Sequence, residues 1–289
     1  WGKGIYEHFV VRGFASLVEG FMSISKRLEE AREAYRKGDA QASATAHDPA
    51  HIAHVHREKH AGEGSQYLGE MVYGGLDGII TTFAVVSGVA GAELGSKVVL
   101  ILGLANLFAD GFSMAVGAYL SARSEQEYYE RERQREAWEV EHFPEGERAE
   151  LFHLYKNQGY SAEEARQMVA IKSTDPKRWV DAMMLEELGM LKDERSPWRA
   201  ALATLLSFVV AGAVPMLIYL LGLLVPASSQ AAFPIAIGLS GLALFGLGAA
   251  KVLVTERTAW KSGLEMLLVG GMAAGVAYLV GALLKGIGG

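Results

Sequence analysis

Four glutamates near the middle of the chain are spaced so that helices would display them in pairs. Glu136 and Glu139 are three residues apart, and so are Glu147 and Glu150. Residues at i and i+3 lie on one face of a helix. Carboxylates that project inward from facing helices bind divalent metals in helical bundles, and oxygen ligands suit Mn²⁺ and Fe²⁺. The two pairs therefore predict a metal site built from two helices.

Met183 and Glu187 extend this pattern, because their i, i+4 spacing also places them on one helix face. A thioether beside carboxylates shifts the preference of a site away from Mg²⁺ and Ca²⁺. A second interpretation is a solvated charged face, and spacing alone slightly favours it, since Glu-rich helices are common. In that case the acids would pair with nearby arginines, namely Arg131, Arg133, Arg135 and Arg148.

Further side chains that could bind a metal occur within strongly apolar sequence. Asp77 lies in GGLDGIITT, and Asp110 and Met114 lie in NLFADGFSMAVGAY. Acids within a bilayer are costly and usually mark a pathway or a partner. Two acids and a thioether could offer Fe²⁺ a path across the membrane. The alternatives are a structural hydrogen bond for each acid and lipid or core contact for Met114. The pathway is favoured for Asp77, and both interpretations stay open for Asp110.

The elements that must position these residues are five apolar segments, each close to the roughly 20 residues that a membrane-spanning helix needs. The chain is 51% hydrophobic and only 21% charged, which excludes a disordered protein and argues against an ordinary soluble enzyme. The predicted spans are Met71–Leu94, Val98–Leu120, Trp198–Val225, Ala231–Val254 and Ser262–Leu284.

Glycines and one proline should shape the packing of these spans. Glycine occurs at 74, 75, 78, 88 and 91 in span one and at 103, 111 and 117 in span two. Small residues let membrane helices approach closely. Pro215 in AGAVPML should kink or open span three, because proline cannot donate a backbone hydrogen bond.

The excess negative charge is confined to the sequence between spans two and three. Residues 123–195 hold 18 Asp and Glu and 12 Lys and Arg, so their net charge of −6 equals that of the whole chain. This predicts a soluble acidic insert, which we define as residues 123–196. Basic residues cluster in the N-terminal segment, in the insert and between spans four and five. The positive-inside rule therefore places all three in the cytosol.

Four helices are predicted for the insert. Span two should continue into it without a break, because no Gly or Pro occurs between Gly117 and Pro144. A second helix should follow the FPEG sequence, and a third should begin after Ser161, with Glu164 completing a capping box. The fourth should run from Pro176 to Gly189.

The N-terminal 66 residues are polar and amphipathic. Helical spacing predicts helices over Phe9–Leu28 and Ser25–Tyr35, and KGDAQASATAH predicts a linker over 37–47. A group of histidines with i, i+4 pairs could hold a transition metal, and Glu58 could add a carboxylate. A solvated juxtamembrane helix is the favoured alternative. The histidines are His47, His51, His54, His56 and His60.

Several function classes are excluded or disfavoured. The chain has no cysteine, which excludes disulfides, cysteine-based zinc sites, iron–sulfur clusters and thiol nucleophiles. The sequence shows no nucleophile–base pair, phosphate loop or cofactor motif, so we predict that it is not an enzyme. Its net charge of −6 argues against a nucleic-acid partner.

The sequence resembles the vacuolar iron transporter family, which includes bacterial members. The resemblance covers about residues 65–284, that is, all five spans and the insert. It rests on several motifs together with the Arg- and Glu-rich continuation of span two. These motifs are YLGEMVYGGLDGIITTFAVVSGVAGA, LANLFADGFSMAVGAYLS, SPWRAAL followed by GAVPML, and WKSGLEMLLVGGMAAGVAYLVG.

The resemblance implies an all-α membrane protein, with five transmembrane helices and a cytosolic helical metal-binding insert between spans two and three. It implies a dimer that exports Fe²⁺, often Mn²⁺ too, from the cytosol in exchange for protons. In the family, an Asp of span one and a Met of span two line the ion path, and these match Asp77 and Met114.

The resemblance also implies the metal ligands of the insert, and so favours the metal site over the solvated face. The family's ligands match Glu136, Glu139, Glu147, Glu150, Met183 and Glu187. One position departs from the family pattern: Ala118 stands in Gly117-Ala118-Tyr119, where relatives often have Glu. A carboxylate at the cytosolic mouth of the path is therefore missing, which affects the expected selectivity or rate.

The expected organisation is a cytosolic, histidine-containing segment at 1–66, spans one and two at 67–122, the insert, and spans three to five at 197–289. A bacterial plasma membrane is the expected location. The expected ions are Fe²⁺, or Mn²⁺, Zn²⁺ or Co²⁺, with no catalytic cofactor. The expected partners are protons, lipid and a second copy of the chain. The alternative function is a membrane-anchored iron sensor or buffer that binds metal without transport.

Overall fold

The computed structural model describes residues 26–48, 65–223, 229–250 and 258–286. Within these ranges the chain is helical and contains no strand. Five helices are long and apolar enough to cross a membrane, which confirms the prediction of five spans. In chain order the helices are α1 (Lys26–Lys37), α2 (Ala40–Ala46), α3 (Leu68–Gly91), α4 (Ser96–His142), α5 (Pro144–Asn157), α6 (Ala162–Lys172), α7 (Pro176–Ala182), α8 (Pro197–Gly212), α9 (Leu217–Leu221), α10 (Ser229–Ala250) and α11 (Ala259–Leu284).

One compact unit combines the described residues up to Phe112 with the described residues from Ala203 onward. In this unit α3 packs along α11, and α10 packs against both helices. A buried apolar cluster holds these elements together, as expected where side chains from several spans interlock. Its members are Val86, Val89, Val99, Met216, Tyr219 and Ala236.

Glycines on α3 allow its backbone to approach α8 directly. A Cβ atom at Gly74 would lie 2.6 Å from Ser207 Oγ, and one at Gly78 would overlap the backbone of Phe208. No side chain fits at either position, so the predicted role of these two glycines in close packing is confirmed. The same contact fixes the turn of α3 that carries Asp77.

Span three is interrupted where the sequence predicts a kink. α8 ends at Gly212, a 3₁₀ turn covers Val214–Met216, and α9 resumes at Leu217. Pro215 lies within the turn, where its missing N–H removes a backbone hydrogen-bond donor. The predicted kink is confirmed.

The second compact unit comprises Ser113–Leu202 and contains the predicted insert. α4 runs without interruption over 47 residues, which confirms the predicted continuation of span two. At a rise of about 1.5 Å per residue its length is about 70 Å, more than twice the thickness of a bilayer core.

For the shorter helices of this unit, one prediction from the sequence is confirmed and two are wrong. The capping box of α6 is confirmed: Glu164 N donates to Ser161 Oγ at 3.2 Å, and Ser161 N donates to Glu164 Oε2 at 2.8 Å. α5 begins at Pro144 rather than after FPEG, because proline is well suited to a first helical position. The fourth helix is not a continuous α-helix to Gly189: a π-helix covers Met183–Glu187 after α7.

The N-terminal segment corrects a further prediction. α1 confirms the charged helix, but the predicted linker over 37–47 is wrong, since α2 occupies Ala40–Ala46. Asp39 caps it by accepting hydrogen bonds from the backbone N–H groups of Gln41 and Ala42. Only one of the five clustered histidines, His47, lies in the described ranges. The other four, Glu58 and most of the helix predicted over 9–28 lie outside them.

Candidate metal centre

The burial of two glutamates follows from the helix faces that carry them. Glu136 lies one turn before Val140 on α4, and Glu147 lies one turn before Leu151 on α5. Both apolar residues belong to the core of this unit. Residues four apart share a helix face, so the two glutamates extend the faces that the core buries. Glu136 is only 1% exposed and Glu147 only 5%.

Three carboxylates from different helices converge at one point. Glu136, Glu147 and Glu187 each offer one oxygen, and these oxygens all lie within 4.8 Å of one another. Divalent cations hold oxygen ligands at about 2.0–2.6 Å, so ligands around one ion lie about 3–4 Å apart. Small side-chain rotations would therefore let a single ion contact all three residues.

The Glu147 carboxylate is only partly satisfied by the protein. Its Oε2 atom is buried and has no hydrogen-bond partner in the part of the chain that the structure describes. Leaving a buried acceptor without a partner costs roughly 1–3 kcal/mol, and more for a charged group. A proton or a bound cation would remove this cost.

The pKa values of two of these acids are strongly displaced. Burial, reinforced by the charges of Glu150 and Glu136, raises the pKa of Glu147 to about 7. Burial is also the largest cause for Glu187, whose pKa is raised to about 7, with further contributions from Glu136 and Glu150. Displaced carboxylate pKa values of this kind are typical of functional sites as well as of buried ion networks.

Glu139 and Glu150 belong to the same group of charges. Glu150 lies at hydrogen-bonding distance from Glu187, and this contact contributes to the raised pKa of Glu187. The charge of Glu139 contributes to the raised pKa of Glu147. The structure thus brings together the five glutamates among the six predicted ligands. We call them the carboxylate cluster: Glu136, Glu139, Glu147, Glu150 and Glu187.

Met183 is buried more deeply than Glu187. Its side chain is fully buried, in the same apolar core as Leu151, Tyr155 and Trp179. The structure therefore places this predicted ligand as a core residue, four residues before Glu187 in the π-helix.

The alternative of a solvated face paired with arginines fits only part of the pattern. Among the four candidate arginines, Arg135 alone forms ion pairs with the cluster, through Glu136 and Glu139. The other three pair with acids outside it: Arg131 with Glu132, Arg133 with Asp181, and Arg148 with Glu145. Because Glu136 and Glu147 are buried, the cluster is not a fully solvated face.

Asp77 and Asp110 lie close enough for their charges to interact, although they are carried by different helices, α3 and α4. In the described ranges neither carboxylate forms a hydrogen bond or an ion pair, so the structural hydrogen bonds considered for them do not occur there. Asn106, one turn before Asp110, has a buried amide nitrogen without a hydrogen-bond partner in those ranges. Met114 follows Asp110 by one turn and is partly buried.

We predict that the second unit becomes more stable as the pH is lowered from about 8 to about 5.5, by about 1 kcal/mol after allowance for solvent screening. Glu147 titrates near 4.5 when unfolded and near 7 when folded. The folded state therefore binds more protons between these values, and the stabilisation is lost as the pH rises through 7. Thermal unfolding of the full chain in detergent and chelator would measure this.

Tryptophan fluorescence is a suitable probe for this measurement, because three of the five tryptophans, Trp138, Trp179 and Trp198, lie in this unit. Glu147→Gln should remove about half of the pH dependence, since glutamine does not titrate in this range, whereas Glu187, whose pKa is also raised to about 7, continues to titrate. Glu145→Gln is the matched control, because it changes an exposed glutamate on the same helix. Equal pH dependence in wild type and Glu147→Gln would contradict the assignment.

Comparison with known proteins gives a consistent result. The model of the VIT family matches residues 68–282. A vacuolar iron transporter of Toxoplasma gondii is 39% identical over 269 residues, which cover 89% of this chain and 88% of that protein. One from Plasmodium falciparum is 33% identical, over 91% of this chain and 98% of its own length. Vacuolar iron transporter 1 of Oryza sativa is 33% identical over 79% of this chain and 89% of its own.

The matched region begins at the start of α3 and ends two residues before the end of α11, so it includes all five spans and the carboxylate cluster. The relatives are named as transporters, which confirms the prediction that the protein is not an enzyme. The extent of the family match and the identity to several relatives lead to one conclusion: the chain belongs to the VIT family, the vacuolar iron transporters.

Proposed function

We propose that this protein exports Fe²⁺ from the cytosol across a membrane in exchange for protons, and that it also accepts Mn²⁺. The names of its relatives support iron as the transported ion. The observation that carries the proposal is the pair Asp77 and Asp110. These are two neighbouring carboxylates on spanning helices, without hydrogen-bond partners in the described ranges. Acids within a membrane are costly, and they usually mark an ion pathway or a binding partner.

Exchange with protons follows from the chemistry of a carboxylate ligand. A carboxyl oxygen that holds a divalent cation has released its proton, and a protonated carboxyl is a poor ligand. Metal and proton thus occupy Asp77 alternately. We assign Asp77, Met114 and Asp110 to the ion path, in which Met114 would offer a thioether to a softer ion.

In this proposal the carboxylate cluster captures the metal on the cytosolic side. Three oxygens within 4.8 Å and the unpartnered Oε2 of Glu147 support a cation site at this position. Carboxylate oxygens suit Fe²⁺ and Mn²⁺, and the site could also take Co²⁺ or Zn²⁺. The excess negative charge of residues 123–195 would raise the local cation concentration at low ionic strength.

We further propose the orientation that the basic residues indicate, with the N-terminus and the insert in the cytosol. The protein would act as a homodimer in a bacterial plasma membrane. The direction of transport, out of the cytosol, is the same as for a protein in a vacuolar membrane, because both compartments lie across the bilayer from the cytosol.

The second candidate function is a membrane-anchored iron sensor or buffer. The carboxylate cluster favours it, because the cluster could bind metal without any path through the spans. Asp77 and Asp110 argue for transport, since a helix that only anchors the protein needs no acid.

Reconstitution into liposomes distinguishes the two functions. We expect the full chain to carry Fe²⁺ or Mn²⁺ down its gradient, together with proton movement in the opposite direction. A metal-sensitive dye and a pH-sensitive dye inside the vesicles would report both movements. Metal binding without flux would identify a sensor or buffer, and flux without proton movement would contradict the proposed exchange. Protein-free liposomes measure the leak.

A further inference from the structure

Arg135 lies beside the carboxylate cluster, and its guanidinium group bonds to carboxylates on the same helix. It lies on α4 next to Glu136, three residues after Glu132 and four residues before Glu139. Its Nη2 donates to Glu136 Oε1 at 2.5 Å, and its Nη1 donates to Glu139 Oε2 at 2.5 Å. Its Nε donates to Glu132 Oε2 at 3.1 Å. All three guanidinium nitrogens are therefore bonded to carboxylates.

Two of these three partners belong to the cluster and one does not. Glu136 and Glu139 are predicted metal ligands, whereas Glu132 also pairs with Arg131. Throughout the described ranges, no base other than Arg135 forms an ion pair with the five cluster glutamates. Among the described residues, it is thus the base whose ion pairs offset the mutual repulsion of these glutamates.

A divalent cation bound by the cluster would draw on the Glu136 and Glu139 carboxylates, and Arg135 now engages one oxygen of each. A guanidinium cannot give up its proton at any physiological pH, so it can release these oxygens only by moving. Its side chain is 45% exposed, and Glu132 offers a carboxylate outside the cluster to which it could remain bonded. The geometry therefore allows the guanidinium to leave the ligands without losing every partner.

We propose that Arg135 is a built-in competitor cation that exchanges with the metal at Glu136 and Glu139, and so limits how tightly the insert holds its ion. This inference rests on the proposed metal capture by the cluster. A capture site in a transporter must release its ion. Because Arg135 is a cation attached to the same helix, its return to the same oxygens favours release of the metal. Arg135 is a positioning residue and does not itself contact the ion.

Calorimetric titration of the purified full chain with Mn²⁺ tests the proposal. We expect Arg135→Gln to tighten binding about tenfold, the effect of losing a few partly exposed ion pairs. Arg135→Lys should tighten it by a smaller factor, because an ammonium is a point charge that cannot hold three carboxylates in the planar geometry of a guanidinium. Since the lysine variant keeps the net charge, its change reports geometry rather than overall charge.

Arg131→Gln is the matched control, because it removes the same charge from the same helix and the ion pair of Arg131 in the described ranges is with Glu132, outside the cluster. Its affinity for Mn²⁺ should equal that of the wild type. Unchanged or weaker binding by Arg135→Gln would overturn the proposal, and so would equal tightening by Arg131→Gln. If Arg135→Gln does not fold, Arg135→Lys decides, since wild-type affinity in that variant would also overturn it.

The inference and the proposed function can fail separately. The inference is measured as Mn²⁺ affinity, and the proposed function is measured as flux in liposomes. If Arg135→Gln binds Mn²⁺ more tightly than the wild type but neither protein shows flux, the protein is a sensor or buffer in which Arg135 competes with the metal. If the wild type shows flux but Arg135→Gln leaves the Mn²⁺ affinity unchanged, the protein is a transporter in which Arg135 does not compete with the metal.

Discussion

Replacing Asp77 with Asn is expected to abolish Fe²⁺ and Mn²⁺ flux in liposomes, with a loss of at least about 100-fold, because a partly dehydrated ion in the membrane needs a carboxylate. Asparagine has nearly the same size and shape, so the packing around Gly78 and Phe208 should be preserved. Dye-based flux assays with equal amounts of reconstituted protein would measure the loss.

Glu265→Gln is the matched control for this experiment. Glu265 is a carboxylate on another predicted span, α11, but its side chain is exposed and it is not assigned to the ion path. We expect flux close to that of the wild type. Normal flux in Asp77→Asn would show that Asp77 is not part of the path, whatever the relatives do.

Changing four of the cluster glutamates together should weaken Mn²⁺ binding at the cluster while leaving the path through the spans intact. We expect replacement of Glu136, Glu139, Glu147 and Glu150 by Gln to weaken Mn²⁺ binding by at least about tenfold, since most oxygen ligands lose their charge. Transport should slow at low metal concentration, where capture limits the rate. Some transport should return at high concentration, because Asp77 and the rest of the path are unchanged.

The control for this variant carries four glutamine substitutions at exposed glutamates of the same unit that are outside the cluster. Glu127, Glu130, Glu145 and Glu163 meet this condition. Both variants remove four acidic side chains from the same unit, so a general electrostatic effect would weaken binding to a similar extent in the two. Calorimetry showing the cluster variant with wild-type affinity and stoichiometry would mean that the cluster is only a charged surface.

The sequence by itself determined the elements that depend on local chemistry. Five spans follow from the length of the apolar segments, and the unbroken α4 follows from the absence of Gly and Pro before Pro144. The cap at Ser161 and the break at Pro215 are likewise properties of a few adjacent residues. The pairing of glutamates at i, i+3 was visible for the same reason, since helix geometry relates near neighbours.

The local sequence pattern predicted the wrong structure for two segments in which it contains competing signals. The segment at 37–47 contains Gly38 and small polar residues that suggest a linker, yet Asp39 caps a short helix. The segment at 183–187 continues a helix in sequence but adopts π geometry. Both differences involve only a few hydrogen bonds, so small contributions decide the outcome.

Only the tertiary structure decided which side chains meet. Spacing could not show that Glu187 joins Glu136 and Glu147, because this depends on how α4, α5 and the π-helix pack. It could not show that Met183 is buried in the apolar core, or that Asp77 on one helix lies near Asp110 on another. Each of these facts depends on contacts between helices that are distant in sequence, and the burial that raises the pKa of Glu147 arises from the same contacts.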